Sequence, residues 1–349
     1  MLVVYNSNLF LIILFRISFG EILYKDRISS LENLHQLFCP LEDNITITPR
    51  QSLYVNSSKR KPGEISKRKC INYLMCSSYG TFKGARNYPG IGMHPGYHSY
   101  ISGGISSSES EFPHMALVGY EYKGTITWNC GGSLISENFV LTAAHCLHKS
   151  EFGSAKMVRL GITNIKDTNH LQEVNVSKLI PHPEYTNDLI YHDIGLLKLS
   201  THVYLNDHVR PACLNLEKDI QMYQPIITGW GDTYLNSVER QDHLLKAYLE
   251  YFDVKKCDHL YKKYIKKSFS KIKKGVMSKS MICAGSSTAI KDTCSGDSGG
   301  PLQVSEGGAY FIVGITSFGK PCGLSKNSPG IYTKVSSYLQ WIEDQVWLQ

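Results

Sequence analysis

A serine hydroxyl attacks an acyl carbon only when a base within hydrogen-bond reach takes its proton. Histidine suits that task because its pKa lies near working pH, and a buried carboxylate can fix its tautomer and stabilise the imidazolium. Three strings of this chain carry these residue types in the order His, Asp, Ser. They are Leu141-Thr-Ala-Ala-His145-Cys146, His192-Asp193-Ile-Gly-Leu-Leu-Lys-Leu199 and Asp292-Thr-Cys294-Ser-Gly296-Asp297-Ser298-Gly299-Gly300-Pro301. They nominate Ser298 as nucleophile, His145 as base and Asp193 as orienting carboxylate. The glycines around Ser298 allow a sharp turn, so that the N–H groups of Gly296 and Ser298 can point at a developing oxyanion. One such donor contributes on the order of 3 kcal/mol in the transition state. Singly, each residue has an ordinary structural reading: a core histidine, a loop aspartate, an Asp-Ser-Gly turn. Three matching contexts together assign acyl transfer through a serine ester.

Residues so far apart in the chain need a rigid frame to meet. From Ile101 onward short β-prone runs recur with turn residues between them: Met115–Tyr122, Gly132–Ser136, Phe139–Thr142, Lys156–Leu160, Ile194–Leu199, Pro225–Gly229, Phe311–Thr316 and Gly330–Val335. Many short strands with Gly-rich turns indicate an all-β barrel or sandwich. A terminal helix follows, with Ser336 or Ser337 as cap and Leu339, Ile342 and Val346 on one face.

On these strings, residues 101–349 resemble the trypsin/chymotrypsin-like serine peptidases. The resemblance extends to Trp128-Asn-Cys130-Gly-Gly-Ser-Leu-Ile, Gly229-Trp-Gly231, Ile282-Cys283-Ala-Gly, Thr316-Ser317-Phe-Gly319 and Pro329-Gly330-Ile-Tyr332. It implies two six-stranded antiparallel β-barrels with the active site in the cleft between them. It places Asp292 at the base of the primary specificity pocket and Ser317, Gly319 and Gly330 around it. A carboxylate there would pair with a substrate Arg or Lys. Phe318 stands where the family usually has Trp, which implies a changed subsite preference. The family pairs Cys130 with Cys146, Cys257 with Cys283, and Cys294 with Cys322. Cys213 resembles the cysteine that tethers a propeptide, its partner being Cys39, Cys70 or Cys76.

The resemblance also makes Ile101-Ser-Gly-Gly104 the N-terminus of the mature enzyme, with the freed ammonium of Ile101 pairing with Asp297. Tyr100 precedes it, so an enzyme that cuts after Arg or Lys would not activate itself, and a different upstream protease is expected. The strings Glu64-Ile-Ser-Lys-Arg-Lys-Cys70-Ile-Asn-Tyr73 and Glu111-Phe-Pro-His-Met-Ala-Leu-Val-Gly119 resemble the clip-type haemolymph proteases of arthropods. That kinship implies a protein substrate, itself a protease precursor in an immune or developmental cascade, and a serpin-type inhibitor. A clip domain has six cysteines of its own, and only three lie upstream of Ile101 here.

The remaining features bound these expectations. Residues 1–20 hold the apolar run Leu9–Phe15 and read as a secretory signal rather than a membrane anchor, because polar Asn6, Ser7 and Asn8 interrupt it. Residues 21–100 carry basic clusters and few apolar periodicities, and read as a loosely structured, disulfide-tethered propeptide. Ten dispersed cysteines and the sequons at Asn44, Asn56 and Asn175 fit an oxidising, extracellular compartment. A net charge of +7 without a nucleic-acid motif points to no nucleic-acid partner. No cofactor or metal is expected, since Asp167 and Glu173 alone make a poor calcium loop, and the chain reads as a monomer. Nine lysines between Lys255 and Lys274 read as a solvated face in preference to a polyanion site. The long propeptide and the Tyr100 junction favour a cascade protease over a digestive or venom one. The complete triad disfavours a non-catalytic pseudoprotease cofactor.

Overall fold

The computed structural model describes residues 60–75, 104–217, 223–231, 242–265, 271–287, 296–319 and 329–348. The leader, Tyr100, Ile101, Asp292 and the cysteines Cys39, Cys76, Cys294 and Cys322 lie outside them. In chain order the elements begin with helix α1 (Glu64–Met75) and the short strand β1 (Ile105–Ser106). A first sheet follows: β2 (Met115–Tyr122), β3 (Thr125–Ser136), β4 (Phe139–Thr142), β5 (His148–Lys149), β6 (Gly153–Leu160), β7 (Gln172–Pro181) and β8 (Gly195–Leu199). The second sheet holds β9 (Cys213–Leu214), β10 (Ile226–Gly229), β11 (Leu245–Tyr248) and β12 (Glu250–Phe252). After helix α2 (Val254–Ile265) come β13 (Met281–Gly285), β14 (Pro301–Glu306), β15 (Ala309–Phe318) and β16 (Gly330–Lys334). Helix α3 (Leu339–Val346) ends the described chain.

Both sheets roll up. In the first, the order β2-β3-β4-β8-β7-β6 returns to its start through β2–β6 pairing, with Leu117 opposite both Gly131 and Arg159. This closed six-stranded ring leaves no free edge, and β5 extends it beside β6. The second runs β11-β10-β14-β15-β16-β13-β12. Only Leu249 separates β11 from β12, so residues 245–252 form one bent strand that pairs with β10 at one end and β13 at the other. The fold is therefore the all-β, two-barrel architecture with a C-terminal helix that the sequence implies.

Apolar side chains point into each ring. Val118, Leu134, Leu141, Val158, Ile194 and Leu196 fill the first, and Ile227, Leu245, Ala247, Val313 and Tyr332 the second. Each large aliphatic side chain so buried stabilises the fold by about 2 kcal/mol. A third cluster joins the barrels: Met115, Leu117 and Trp128 from the first pack on Ile226, Trp230, Leu244 and Tyr310 from the second. At its margin His114 is almost fully buried, its ring 5.3 Å from that of Tyr310. Burial pushes its imidazole down to about 4.

Helix α3 buries Leu339 and Ile342 with Val346 packed beside them, as its periodicity requires. Its cap differs from expectation: the helix starts after Tyr338 with no side-chain cap, and the Ser337 hydroxyl instead donates to the carbonyl of Lys279 at 2.5 Å.

The segment read as a propeptide departs further from expectation. Residues 60–75 are a docked element rather than a loose one. Cys70 of α1 is disulfide-bonded to Cys213 of β9, which settles the choice of partner. Most of the docking is polar, which is why apolar periodicity misses it. The Arg60 guanidinium lies 2.7 Å from Asp344 and 3.4 Å from Glu343. Glu343 is fully buried and accepts two further bonds, from the backbone N–H and hydroxyl of Ser66 at 2.8 and 3.0 Å. Tyr73 donates to Glu137 between β3 and β4 at 2.9 Å.

Two measurements test these contacts. Arg60→Ala leaves the Glu343 carboxylate buried without its counter-ion, and should lower unfolding free energy in denaturant by about 3–5 kcal/mol. A loss below about 1 kcal/mol would show that the Arg60 ion pair does not stabilise the docked segment. The His114 imidazole binds its proton less readily in the fold than in the unfolded chain. Its contribution is complete above the ordinary pKa of 6.5 and is lost as pH falls from there through about 4. That gap corresponds to about 3 kcal/mol, and His114→Gln should flatten the stability profile across the same window.

Candidate active site

His145 sits in a single 3-10 turn, Ala144–Cys146, directly after β4. The Cys130–Cys146 disulfide ties that turn to β3, and the Tyr120 hydroxyl donates to the Cys146 carbonyl at 2.5 Å. The turn therefore cannot swing away from the barrel. Its ring Nδ1 is 2.8 Å from Asp193 Oδ2, and its backbone N–H donates to Asp193 Oδ1 at 2.9 Å. Both carboxylate oxygens are thus engaged by one residue, which fixes ring plane and tautomer together.

Asp193 enters the seam on a strained approach. His192 before it has φ 55, the left-handed region that a non-glycine residue adopts at a cost. The His192 ring stacks on His182 at 5.3 Å and lies edge-on to Tyr338, whose hydroxyl is 3.2 Å from its Nδ1. From the second barrel, the Ser317 hydroxyl donates to Asp193 Oδ2 at 2.5 Å and the Thr333 hydroxyl to the Asp193 carbonyl at 2.8 Å. Burial alone pushes the Asp193 carboxyl up. The facing His145 and the bonds from His145 and Ser317 outweigh it and hold the group below the usual carboxylate range. It is a buried, ionised orienter for an imidazole that is itself about a quarter exposed to solvent.

The Ser298 segment is fastened to the same place. Its carbonyl accepts from the Gly131 N–H of β3 at 2.8 Å and lies 3.4 Å from Cys146 Sγ, next to His145 in the chain. Gly299 has φ +79, and a Cβ there would stand 2.1 Å from the Thr142 hydroxyl, so only glycine lets this loop press on the strand that leads to His145. Gly296 turns the chain at φ 101 just before. Asp297 is buried, and the Gly231 N–H donates to its Oδ1 at 2.8 Å. A Cβ at Gly229 would come 2.0 Å from that oxygen. The two glycines of Gly229-Trp-Gly231 are therefore the slot for this carboxylate.

The structure thus gathers His145, Asp193, Ser298, Gly296 and Asp297 at one seam, with Thr333 and the glycine slot as members that sequence reasoning missed. Ser317 lies there too, but its hydroxyl turns to Asp193, a role beyond the pocket wall expected of it. Gly319 faces open space among the described residues, and Gly330 lies against the Tyr332 ring. The sulfurs beside His145 are joined in a disulfide and offer no thiolate to a metal. The second family disulfide, Cys257–Cys283, is also present.

Comparison with known proteins decides what this seam belongs to. The family model described as Trypsin matches residues 101–342. The chain belongs to the trypsin family of serine proteases. Among curated relatives of this trypsin-like endopeptidase, the Serine protease snk of Drosophila melanogaster is 34% identical over 89% of this chain and 68% of its own length. The Serine protease Hayan of the same fly is 35% identical over 71% of this chain and 39% of its own length. Phenoloxidase-activating factor 3 of Holotrichia diomphalia is 35% identical over 70% of this chain and 72% of its own. A CLIP domain-containing serine protease of Anopheles gambiae, 32% identical over 71% of this chain and 70% of its own length, is in keeping with the clip-type resemblance.

Ser317→Ala removes a bond to an ionised carboxylate, of a kind that contributes about 1.5–3 kcal/mol. In the active enzyme this variant should lose about tenfold to a hundredfold in kcat, with KM little changed. An unaltered kcat would show that His145 alone positions Asp193.

Proposed function

We infer that this chain is the secreted precursor of an endopeptidase that cuts after Arg or Lys, and that its substrate is another protease precursor. The observation that carries the catalytic part is the doubly held Asp193 carboxylate beside His145, with the Ser298 loop hydrogen-bonded to the same barrel. In this reading Ser298 attacks the scissile carbonyl while His145 takes its proton. The imidazolium then gives that proton to the leaving amine, the peptide C–N bond breaks, and an ester remains on Ser298. Water activated by the same imidazole releases the acid and restores the hydroxyl. Asp193 stays ionised throughout and stabilises the imidazolium. The N–H groups of Gly296 and Ser298 receive the tetrahedral oxyanion.

Specificity is assigned to Asp292, which the family resemblance puts at the pocket base, and Gly319, against which no described residue would crowd a side chain, leaves room for a long basic group. Activation rests on the buried Asp297 in its glycine slot. A freed Ile101 ammonium would pair with it and set the Gly296–Ser298 turn. The residues around 1–20 would be removed on secretion, 21–100 would stay attached through Cys70–Cys213, and 101–349 would form the enzyme. The cascade role is drawn from the relatives, one of which is named for activating phenoloxidase, and from the Tyr100 junction. A serpin-type inhibitor would complete such a circuit.

Activity of the cleaved enzyme against a positional peptide library is the test. Arg and Lys should dominate at the position before the cut, and Ser298→Ala should abolish both turnover and fluorophosphonate labelling. A preference for Phe or Leu would remove the Asp292 assignment. Purified precursor incubated alone should yield no chain beginning at Ile101, and its appearance would show that no second protease is needed.

A further inference from the structure

Far from Ser298 in the chain's layout of roles, three segments bring together donors that the proteolytic chemistry does not use. Glu109 lies in the turn before β2, His170 in the β6–β7 connection, and His208 in the stretch after β8. The two imidazole rings stack with centroids 3.4 Å apart and planes 11° from parallel. Glu109 Oε1 is 3.6 Å from His170 Nε2 and 3.9 Å from His208 Nδ1. One ligand atom from each of the three side chains lies within 4.8 Å of the others. Two donors on a tetrahedral zinc ion, at bond lengths of about 2.0–2.1 Å, stand about 3.3 Å apart. The two Glu109 separations exceed that spacing by only a few tenths of an ångström, and binding would rotate the stacked rings out of parallel so that their lone pairs converge on the ion.

We propose that Glu109, His170 and His208 form a binding site for a divalent transition-metal ion, with zinc the best match to two imidazoles and a carboxylate. Nitrogen donors argue against calcium, which takes oxygen ligands.

The backbones of the two histidines are held in place, while the Glu109 side chain is exposed. Asn206 Oδ1 accepts the N–H groups of His208 and Val209 at 2.8 and 2.9 Å, fixing the His208 backbone. The His170 carbonyl packs so closely on Gly161 that a Cβ there would be 2.1 Å away. Ser110 has φ 58 and places its hydroxyl 2.6 Å from His208 Nδ1, where it is the partner that an ion would displace. Three protein ligands leave the fourth position for water.

The site also has mechanical reach. Glu109 stands eight residues after Ile101. The loop that carries His170 also carries Thr163, whose carbonyl accepts from the Trp230 indole at 3.1 Å and from the Leu244 N–H at 2.7 Å. An ion would fasten the start of the mature chain to a first-barrel loop that already grips the second barrel.

Zinc titration of the full-length chain, followed by calorimetry and by thermal unfolding, tests the proposal. One equivalent of Zn²⁺ should bind and raise Tm, and Co²⁺ in its place should give the visible absorption of a tetrahedral ion. His170→Asn, His208→Asn and the isosteric Glu109→Gln should each weaken binding at least about tenfold, the scale on which metal sites respond to such losses. Their melting in chelator should match the wild type, which reads out folding separately. His182→Asn serves as control, because His182, Glu184 and His192 form a second donor group. Absence of saturable Zn²⁺ binding, equal affinity in the three variants, or a loss confined to His182→Asn would each overturn the assignment.

Discussion

One buried charge organises this molecule. The Asp193 carboxylate is almost wholly removed from water, and a lone ion so placed would be expelled or neutralised. It stays ionised because groups from both barrels converge on it: the ring and backbone of His145 from one side, the Ser317 hydroxyl from the other. The demand runs outward from there. Satisfying it requires the barrels to meet in a fixed register, and the shared cluster of Met115, Leu117 and Trp128 with Ile226, Leu244 and Tyr310 supplies that register. The strained backbone at His192 is tolerated because the surrounding rings and the Thr333 bond leave the segment no alternative.

Glycines make the complementary contribution by leaving space. Gly299 admits the Thr142 hydroxyl, while Gly229 and Gly231 admit the Asp297 carboxylate. Each absent side chain lets a polar group of one loop come against the backbone of another element. Two buried acids, Asp193 and Asp297, are held by unrelated means, one by donors from both barrels and one by a glycine slot with a backbone N–H at its wall.

Much of this was legible in the residues. β2 and β4 lie on the predicted spans because their apolar runs are bounded by turn formers, and Gly-Asp-Ser-Gly-Gly can hardly be read otherwise. What escaped reading has identifiable physical causes. β7, with Glu173, Asn175 and Lys178 among its residues, is half exposed and lacks a clean apolar stripe. The segment 60–75 docks through Arg60, Ser66 and Tyr73, and no hydrophobic period announces such a contact. The Ser317 and Thr333 bonds to Asp193 depend on how two barrels face each other, information that no local string contains. Cys213 was recognisable as a tether, but choosing Cys70 required knowing where α1 packs.

Arg60 belongs to a run of three basic residues, Lys59-Arg60-Lys61, followed by Pro62. In solution such a run would be an inviting cleavage point for any peptidase that draws an arginine side chain into a pocket. Here the guanidinium is already committed: only about 2% of that side chain faces solvent. Reaching the adjoining peptide bond would first require prising the segment from the C-terminal helix. The folded chain thus keeps this one arginine inside its own interface, while Lys61, Lys67 and Arg68 of the same segment stay on the surface.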